Sequence, residues 1–393
     1  MSAVAPPSAF IPPPYPHDRL DAVMAVAASH PGGAVDLSVG TPCDPPPHAV
    51  VRALGTSGTE RGYPSSVGGT AMREAAARWM ARRFEVAIEV EQIAACVGTK
   101  EFVATTAWFL RLRTPGRDTV LVPAVAYPTY AMGGQLARCR VVEVGTGPGG
   151  QPDLDAVSPA DAERALCVWV NSPANPSGTL ADLGAAAAWG RAHGVPVLCD
   201  ECYTEFTWEG EPATIVQHGC DGVLAVHSLS KRSNLAGARV GVYAGDAELV
   251  AYLGEVRKHA GFMVPGPVQA AAAVAWDDDA HVVAQRARYR RRLDRLAQIL
   301  TGAGLDATGP AGGFYLWVPV PAWAHAEGAS QERPGAWALA DALAEAAGMV
   351  VSPGEFYGHE AEGFVRVAAV QPDERIELVA ERLASSGHPN LGR

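Results

Sequence analysis

The chain has 393 residues, of which 48% are hydrophobic and 19% are charged, and its formal net charge at pH 7 is −11. This length is enough for about two to three domains, and the composition is that of a globular protein. The sequence has no long block of Lys or Arg, which argues against a nucleic-acid or anionic-membrane partner. No stretch approaches about 18 uninterrupted apolar residues, so no membrane span is predicted.

The N-terminal segment and the cysteines indicate the compartment. Residues 1–16 are rich in proline and lack a basic region, which predicts an extended arm and not a signal peptide. The seven cysteines are an odd number, and several lie in apolar runs, which predicts reduced thiols and a cytoplasmic protein. Cys199 and Cys202 form one C-x-x-C motif, but no second pair with zinc spacing follows, so no metal site is predicted.

From about residue 68 to residue 260, helical and strand-like patterns alternate. Helices are predicted at residues 70–84 and 182–193, with Asp182 as a helix N-cap. Short buried strands are predicted at residues 119–123, 140–144, 165–170, 195–199 and 222–227. This alternation predicts an α/β fold with a mostly parallel central sheet that is covered on both faces.

The pattern changes after about residue 260, where a long helix at residues 279–301 precedes strands at residues 314–318 and 364–368. We expect a smaller α+β domain there. Residues 321–335 are predicted to form a polar surface loop. The predicted division of the chain is therefore an N-terminal arm with part of the small domain (residues 1–45), a large cofactor-binding domain (46–260) and a small C-terminal domain (261–393).

Lys231 is the most informative residue for chemistry. A lysine amine can condense with an aldehyde to form a Schiff base. The hydroxyls of Ser228 and Ser230 and the cation of Arg239 would suit a phosphate. An aldehyde that carries a phosphate is pyridoxal 5′-phosphate (PLP). Taken alone, the segment is equally compatible with a solvated Lys-Arg pair, so the hypothesis depends on the residues that would complete the site.

Those residues follow the predicted strands, where ligands gather in open α/β sheets. Asp200 would keep the pyridine nitrogen of PLP protonated, since a nearby anion favours the cationic form, and a protonated ring is the electron sink for a substrate carbanion. Asn175 and Tyr203 would donate to the phenolate oxygen of the cofactor, and Tyr127 would stack on the ring. The alternatives are a helix N-cap for Asp200, an Asn-Pro turn for Asn175 and ordinary core for Tyr127.

Two further groups would bind anions. Gly98, Thr99 and Lys100 precede a helical run, and the free N–H groups of a helix start bind phosphate. Arg366 lies between apolar neighbours in a predicted strand, and its guanidinium would bind the carboxylate of an amino-acid substrate. The backbone at Gly40 would approach the same carboxylate. The alternative for Arg366 is a structural salt bridge.

Over nearly the whole chain, these motifs resemble the fold-type I PLP-dependent aminotransferases of class I/II. The resemblance implies a PLP-dependent transferase of fold type I that forms a homodimer with shared active sites. It also implies that Lys231 is the Schiff-base lysine and Arg366 the α-carboxylate clamp, and that Tyr63 reaches the phosphate bound to the other subunit. The motifs that carry it are Asp36-Leu-Ser-Val-Gly-Thr-Pro, Gly62-Tyr-Pro-Ser-Ser-Val-Gly, Gly98-Thr-Lys-Glu, Tyr127-Pro-Thr-Tyr, Asn171-Ser-Pro-Ala-Asn-Pro-Ser-Gly, Asp200-Glu-Cys-Tyr, Ser228-Leu-Ser-Lys, Gly313-Phe-Tyr-Leu-Trp and Phe364-Val-Arg-Val.

Within the class, the sequence is most similar to actinobacterial succinyldiaminopimelate transaminases, although Ala238 replaces an expected tyrosine. This implies amino transfer between glutamate/2-oxoglutarate and N-succinyl-L,L-2,6-diaminopimelate, in lysine biosynthesis. The alternatives are a paralogous aminotransferase of another amino-acid or secondary-metabolite pathway, and a PLP lyase or oxidase on the same fold. A second substrate carboxylate would need another cation, for which Arg61, Arg232 and Lys258 remain candidates.

Overall fold

The computed structural model describes residues 9–385 and 391–392. Its helices are α1 (Asp21–Ala28), α2 (His48–Thr56), α3 (Thr70–Phe84), α4 (Thr99–Arg113), α5 (Thr129–Leu136), α6 (Pro159–Arg164), α7 (Leu183–His193), α8 (Leu229–Arg232), α9 (Ala247–His259), α10 (Gly266–Asp277), α11 (Ala280–Gly302), α12 (Ala322–Ser330), α13 (Gly335–Ala347) and α14 (Asp373–Ser385). Its strands are β1 (Val35–Asp36), β2 (Ile93–Cys96), β3 (Thr119–Pro123), β4 (Arg140–Val144), β5 (Ala165–Asn171), β6 (Val197–Asp200), β7 (Val223–Ser228), β8 (Gly241–Gly245), β9 (Tyr315–Pro319), β10 (Met349–Val350), β11 (Ser352–Pro353) and β12 (Phe364–Ala368).

The centre of the molecule is a seven-stranded sheet in the order β2-β8-β7-β6-β5-β3-β4. The neighbouring strands are parallel except around β8, which runs antiparallel to both β7 and β2. The central strands β5, β6 and β7 are buried along their whole length, as expected for a sheet with both faces covered. The prediction of an α/β fold with a mostly parallel sheet is confirmed.

Two hydrophobic layers cover the sheet. Residues of α3, α7 and α10 pack on one face, and residues of α4, α5 and α9 pack on the other. The side chains of β5 alternate between the layers, since Val168 and Val170 belong to the first and Trp169 to the second. Because β3, β5, β6 and β7 run parallel, their carboxyl ends lie at one edge of the sheet.

A second core lies under the three-stranded antiparallel sheet β11-β12-β9, against α11, α13 and α14. Strand β1 from the N-terminal region pairs with β10 and adds Val35 and Leu37 to this core. Helix α10 instead belongs to the large core through Ala272 and Trp276. The domain division remains a proposal, and this packing favours placing its second boundary beyond α10 instead of at residue 260.

The predicted loop at residues 321–335 is wrong, because residues 322–330 form helix α12 and α13 begins at Gly335. Ala324 on α12 is completely buried in the second core, while the polar residues of the segment face solvent. Of the predicted N-terminal arm, residues 1–8 lie outside the described residues, and residues 9–15 have no regular secondary structure. Within the described ranges, no helix is long and apolar enough to cross a membrane.

Candidate active site

A cavity with a volume of about 480 Å³ opens at the carboxyl edge of the large sheet and extends to the small sheet. The N-terminal region, the large domain and the second core all contribute to its lining. Most of the residues selected from the sequence line it, namely Gly40, Thr99, Lys100, Tyr127, Asn175, Asp200, Tyr203, Ser228, Ser230, Lys231, Arg239 and Arg366. Residues that are far apart in the sequence therefore lie together around one cavity.

Lys231 lies on α8, the four-residue helix that follows β7. Its Nζ donates a hydrogen bond to the carbonyl oxygen of Gly40. Burial lowers the pKa of the Lys231 amine to about 8, and the charges of Arg366 and Arg239 act in the same direction. The amine therefore loses its proton more readily than an exposed lysine does, which suits a nucleophile or a base.

Asp200 ends β6, and both of its carboxylate oxygens accept hydrogen bonds. The backbone N–H of Cys202 donates to Oδ1 over 3.1 Å, and the hydroxyl of Tyr130 donates to Oδ2 over 2.9 Å. Burial raises the pKa of Asp200, whereas these two donors and the charge of Lys231 lower it. The site thus supplies groups that favour the carboxylate form in a place where burial alone would disfavour it.

Arg366 lies on β12 and is only 4% exposed. Its Nη1 donates to Asn175 Oδ1 over 2.7 Å, and its Nη2 donates to the carbonyl oxygen of Ser38 over 2.5 Å. Its Nε is buried without a hydrogen-bond partner, and no carboxylate of the described residues pairs with it. A buried unpaired charge is costly, so this environment favours an anionic ligand and gives no support to a structural salt bridge.

The phosphate end of the cavity is formed by Gly98, the start of α4 and Arg239. Gly98 is the N-cap of α4 with φ of 76°, and a Cβ built on it would lie 2.6 Å from Cζ of Arg239. The first N–H groups of α4 have no helical partners and are available to an anion. Ser228 caps α8 by accepting from the N–H of Ser230 over 3.0 Å, which leaves the proton of its own hydroxyl free to donate.

Tyr203 and Asn175 lie between these two ends. The Tyr203 hydroxyl is 2.9 Å from the hydroxyl of Tyr315. Asn175 uses its side-chain oxygen for Arg366, and its backbone N–H donates to Asn171 Oδ1 over 2.7 Å. The side-chain NH2 group of Asn175 is therefore left for a ligand, as its predicted role at a cofactor oxygen requires.

Tyr63 does not join the cavity, because its side chain is 101% exposed. Of the three candidate cations for a second carboxylate, Arg232 is buried in ion pairs with Glu205 and Asp279, and neither Arg61 nor Lys258 lines the cavity. Several lining residues were not selected from the sequence, namely Tyr15, His17, Tyr130, Tyr315, Phe356 and Tyr357. Tyr130 lies in the first turn of α5, within the motif Tyr127-Pro-Thr-Tyr, but the motif alone does not show which residue its hydroxyl contacts.

This set of donors fits PLP. Unpartnered helix N–H groups, two serines and Arg239 form an anion site at one end of the cavity. The Asp200 carboxylate and the Lys231 amine lie in the same cavity, as a ring nitrogen and an aldehyde require. At the other end, Arg366 has no carboxylate partner among the described residues, so its charge is available to an anionic ligand.

Comparison with known proteins agrees with this geometry. The family model described as aminotransferase class I and II matches residues 33–383. The chain is 40% identical over 380 residues to the 4-dedimethylamino-4-oxo-anhydrotetracycline transaminase OxyQ of Streptomyces rimosus, covering 94% of this chain and 99% of that protein. It is 30% identical over 388 residues to an LL-diaminopimelate aminotransferase of Dehalococcoides mccartyi, covering 95% and 96%.

Among solved structures, the fold is similar to that of a probable N-succinyldiaminopimelate aminotransferase from Thermus thermophilus. The TM-score is 0.81 and the sequence identity 30%, and the match covers 94% of this chain and 99% of that one. The family match spans both cores and every residue that lines the cavity apart from those of the N-terminal arm. This chain therefore belongs to the class I and II aminotransferases, and it is a PLP-dependent transaminase.

Proposed function

We propose that this aminotransferase takes the amino group of glutamate and transfers it to a keto acid or aldehyde that carries a second anionic group. The first candidate product is N-succinyl-L,L-2,6-diaminopimelate. The observation that carries the proposal is the unpaired buried charge of Arg366, which would bind the α-carboxylate of every amino-acid substrate. The Thermus thermophilus structure, named for the same succinylated substrate, supports the candidate.

Each residue of the site has a role in this proposal. PLP, when bound, supplies the electron sink for negative charge that develops at the substrate Cα. Lys231 removes the proton from the substrate Cα as a general base and then delivers it as a general acid. Asp200 holds a proton at the pyridine nitrogen, and Asn175 and Tyr203 donate hydrogen bonds to the phenolate oxygen.

Lys100 is our candidate for binding the second anionic group. It lines the cavity, its Nζ donates to the Tyr15 hydroxyl over 3.2 Å, and it lies 4.6 Å from the centroid of the Tyr15 ring. Within the described part of the chain, no carboxylate pairs with Lys100. The cavity thus offers one cation beyond those required for the phosphate, the Schiff base and the α-carboxylate. Lys100 takes the place of Arg61, Arg232 and Lys258 in this role.

A second candidate is an aminotransferase of a specialised pathway. The specific observation in its favour is the 40% identity to OxyQ over 94% of this chain, which exceeds the 30% identity to the diaminopimelate enzyme. OxyQ is named as a transaminase of a tetracycline ketone, so a polycyclic ketone belongs among the acceptors to be tested. The aromatic side chains that line the cavity suit such an acceptor as well.

Half-reactions followed by absorbance test these proposals. The loaded enzyme is mixed with glutamate and should lose the PLP absorbance and gain that of pyridoxamine phosphate, with one equivalent of 2-oxoglutarate. Each candidate amino product is then assayed in the same way, and N-succinyl-L,L-2,6-diaminopimelate should react faster than L,L-diaminopimelate. Ammonia released without pyridoxamine phosphate would indicate a lyase, and oxygen consumption that gives ammonia and hydrogen peroxide together with 2-oxoglutarate would indicate an oxidase.

The variant Lys100→Met keeps the length of the side chain and removes its charge. It should slow the half-reactions of substrates that carry a second anionic group and leave that of alanine little changed. Equal losses for alanine and glutamate would contradict the role of Lys100 and leave that of Arg366 standing.

A further inference from the structure

Tyr315 is a cavity residue to which no motif assigned a role. It begins β9, and its backbone pairs with Ala368 on β12, which places it diagonally across the strands from Arg366 on the same face. Its side chain is 2% exposed. Strand pairing therefore fixes the ring beside the arginine that we expect to bind the substrate.

The ring of Tyr315 contacts three parts of the site. Cζ of Arg366 lies 4.1 Å from the ring centroid, within cation–π distance. The hydroxyl lies 2.9 Å from the hydroxyl of Tyr203. The tip of the ring also packs closely against the backbone of Gly40, where an added Cβ would lie 2.8 Å from Tyr315 Cζ. The same residue thus contacts the Arg366 clamp, the Tyr203 hydroxyl and the backbone whose carbonyl holds Lys231.

The hydrogen bond between the two tyrosines has a direction that the proposed role of Tyr203 determines. A phenol has one proton to donate. If Tyr203 donates that proton to the cofactor oxygen, its own oxygen must accept from Tyr315. Both hydroxyls are buried, and among the described residues neither forms a hydrogen bond with any other side chain, so Tyr315 has a donor to offer and Tyr203 an acceptor to satisfy.

We propose that Tyr315 is a positioning residue that donates its hydroxyl proton to Tyr203 and thereby directs the Tyr203 proton toward the phenolate oxygen of the cofactor. The inference rests on the proposed role of Tyr203. It assigns two separable tasks to one side chain. The hydroxyl acts on the cofactor through Tyr203, and the ring supports Arg366.

The variant Tyr315→Phe separates the two tasks, because it removes the hydroxyl and keeps the ring over Arg366. In the resting, PLP-loaded protein, a hydrogen bond donated to the phenolate oxygen favours the deprotonated state of the Lys231 nitrogen. Weaker donation should therefore raise the pH midpoint of the visible absorbance change. We expect an upward shift of roughly 0.5–1 pH unit, the size of one net hydrogen bond. The measurement is a spectroscopic pH titration without substrate, and it does not depend on turnover.

A double-mutant cycle makes the test specific. Tyr203→Phe should raise the same midpoint by at least as much, and adding Tyr315→Phe to it should cause no further shift. Tyr357→Phe is the matched control, since the centroid of the Tyr357 ring also lies close to Arg366, 4.8 Å from Cζ, and the variant should leave the midpoint unchanged.

The outcomes separate this inference from the proposed function. If Tyr203→Phe shifts the midpoint and Tyr315→Phe does not, the role of Tyr315 is overturned and that of Tyr203 stands. If Tyr315→Phe causes the same shift with and without Tyr203, it acts by another route and the inference is overturned as well. If neither variant shifts the midpoint, both roles are overturned.

Discussion

Burial has different consequences for the two cations nearest the proposed substrate. A lysine amine can give up its proton when it is desolvated, and burial accordingly lowers the pKa of Lys231 to about 8. A guanidinium does not lose its proton in proteins, so Arg366 keeps its charge and needs an anion. We therefore propose that the same low-dielectric cavity makes a base of Lys231 and a carboxylate receptor of Arg366.

The lowered pKa of Lys231 predicts the pH dependence of cofactor uptake. Only the neutral amine attacks an aldehyde. The rate of PLP incorporation into the apoprotein should therefore rise with pH, reach half its plateau near the pKa of about 8, and level off above it. Stopped-flow absorbance at constant ionic strength measures this rate. A rate that continues to climb beyond pH 10, as for an exposed lysine, would contradict the prediction.

Substitution of Arg366 tests the receptor for the substrate carboxylate. Loss of one partner of a buried charge pair costs about 3–5 kcal/mol, so Arg366→Ala should lower kcat/KM by roughly 10²–10⁴. The loss should be similar for all amino acids, since all share the α-carboxylate. Arg366→Lys serves as the comparison, because it keeps the charge and loses the bidentate geometry, and it should be intermediate. A loss confined to one substrate would instead place Arg366 at a side-chain pocket.

At the scale of elements, the start of α4 is the part of the fold that the phosphate would use. Gly98→Ala would place a methyl group 2.6 Å from Cζ of Arg239 in a residue with φ of 76°. The displaced guanidinium should weaken PLP binding by roughly tenfold to a hundredfold, whereas the backbone strain of about 1–3 kcal/mol should lower the stability of the fold. Equilibrium dialysis of the apoprotein with PLP measures the effect.

Gly210 offers a matched control for that substitution. Its φ is 70°, and nothing lies within 4 Å of the position of an added Cβ. Gly210→Ala should thus carry the backbone strain without the contact to Arg239, and PLP affinity should stay at its wild-type value. Equal losses in the two variants would show that the strain destabilises the protein in general and that Gly98 has no specific part in the phosphate site.

Regular elements were predictable because hydrophobic periodicity is local. Strands β3, β4 and β12 and helix α3 lie where their patterns predict them. Helix α12 was missed because its polar residues outnumber the few that face the second core, and only tertiary packing reveals the burial of Ala324.

The difference between local sequence patterns and tertiary packing also explains which residues of the site could be predicted. Residues that follow strands or occupy motifs were found, since parallel strands bring their carboxyl ends together. The partners of these residues were not found. Tyr130 bonds to Asp200 across 70 positions of sequence, and Tyr315 to Tyr203 across 112. Such contacts depend on how α5 and β9 pack, which a single sequence does not show.

At the scale of the whole molecule, the cavity is formed where separate parts of the chain meet. Near Lys100, the N-terminal region contributes Tyr15 and His17, and Arg19 of the same region forms an ion pair of 2.7 Å with Glu355, which follows β11. Gly40 from the N-terminal region and Arg366 from the small sheet line the same cavity as Lys231, which follows the large sheet. A relative shift of the two sheets would therefore change the distance between the proposed base and the proposed carboxylate receptor.

Tyr63 is the residue through which we propose that the site depends on the quaternary structure. Its side chain is fully exposed, and on the family resemblance we propose that it reaches the phosphate bound to the other subunit of a homodimer. A hydrogen bond to a charged group is worth about 1.5–3 kcal/mol, so Tyr63→Phe should weaken PLP binding by roughly tenfold to a hundredfold. The absorbance of the bound cofactor should not change, because the phenol would contact only the phosphate.

Mixed dimers test whether the site is shared between subunits. Tyr63→Phe and Lys231→Ala subunits are unfolded together and refolded, so that hybrids form. In a hybrid with shared sites, one site combines Lys231 of the first subunit with Tyr63 of the second and is wild type, while the other carries both defects. Tight, covalent PLP binding should therefore appear in the mixture. Tyr63→Phe alone should bind PLP weakly, and Lys231→Ala alone cannot form the covalent bond. If the holoenzyme sediments as a monomer, or if mixing restores no tight site, then Tyr63 does not act across an interface.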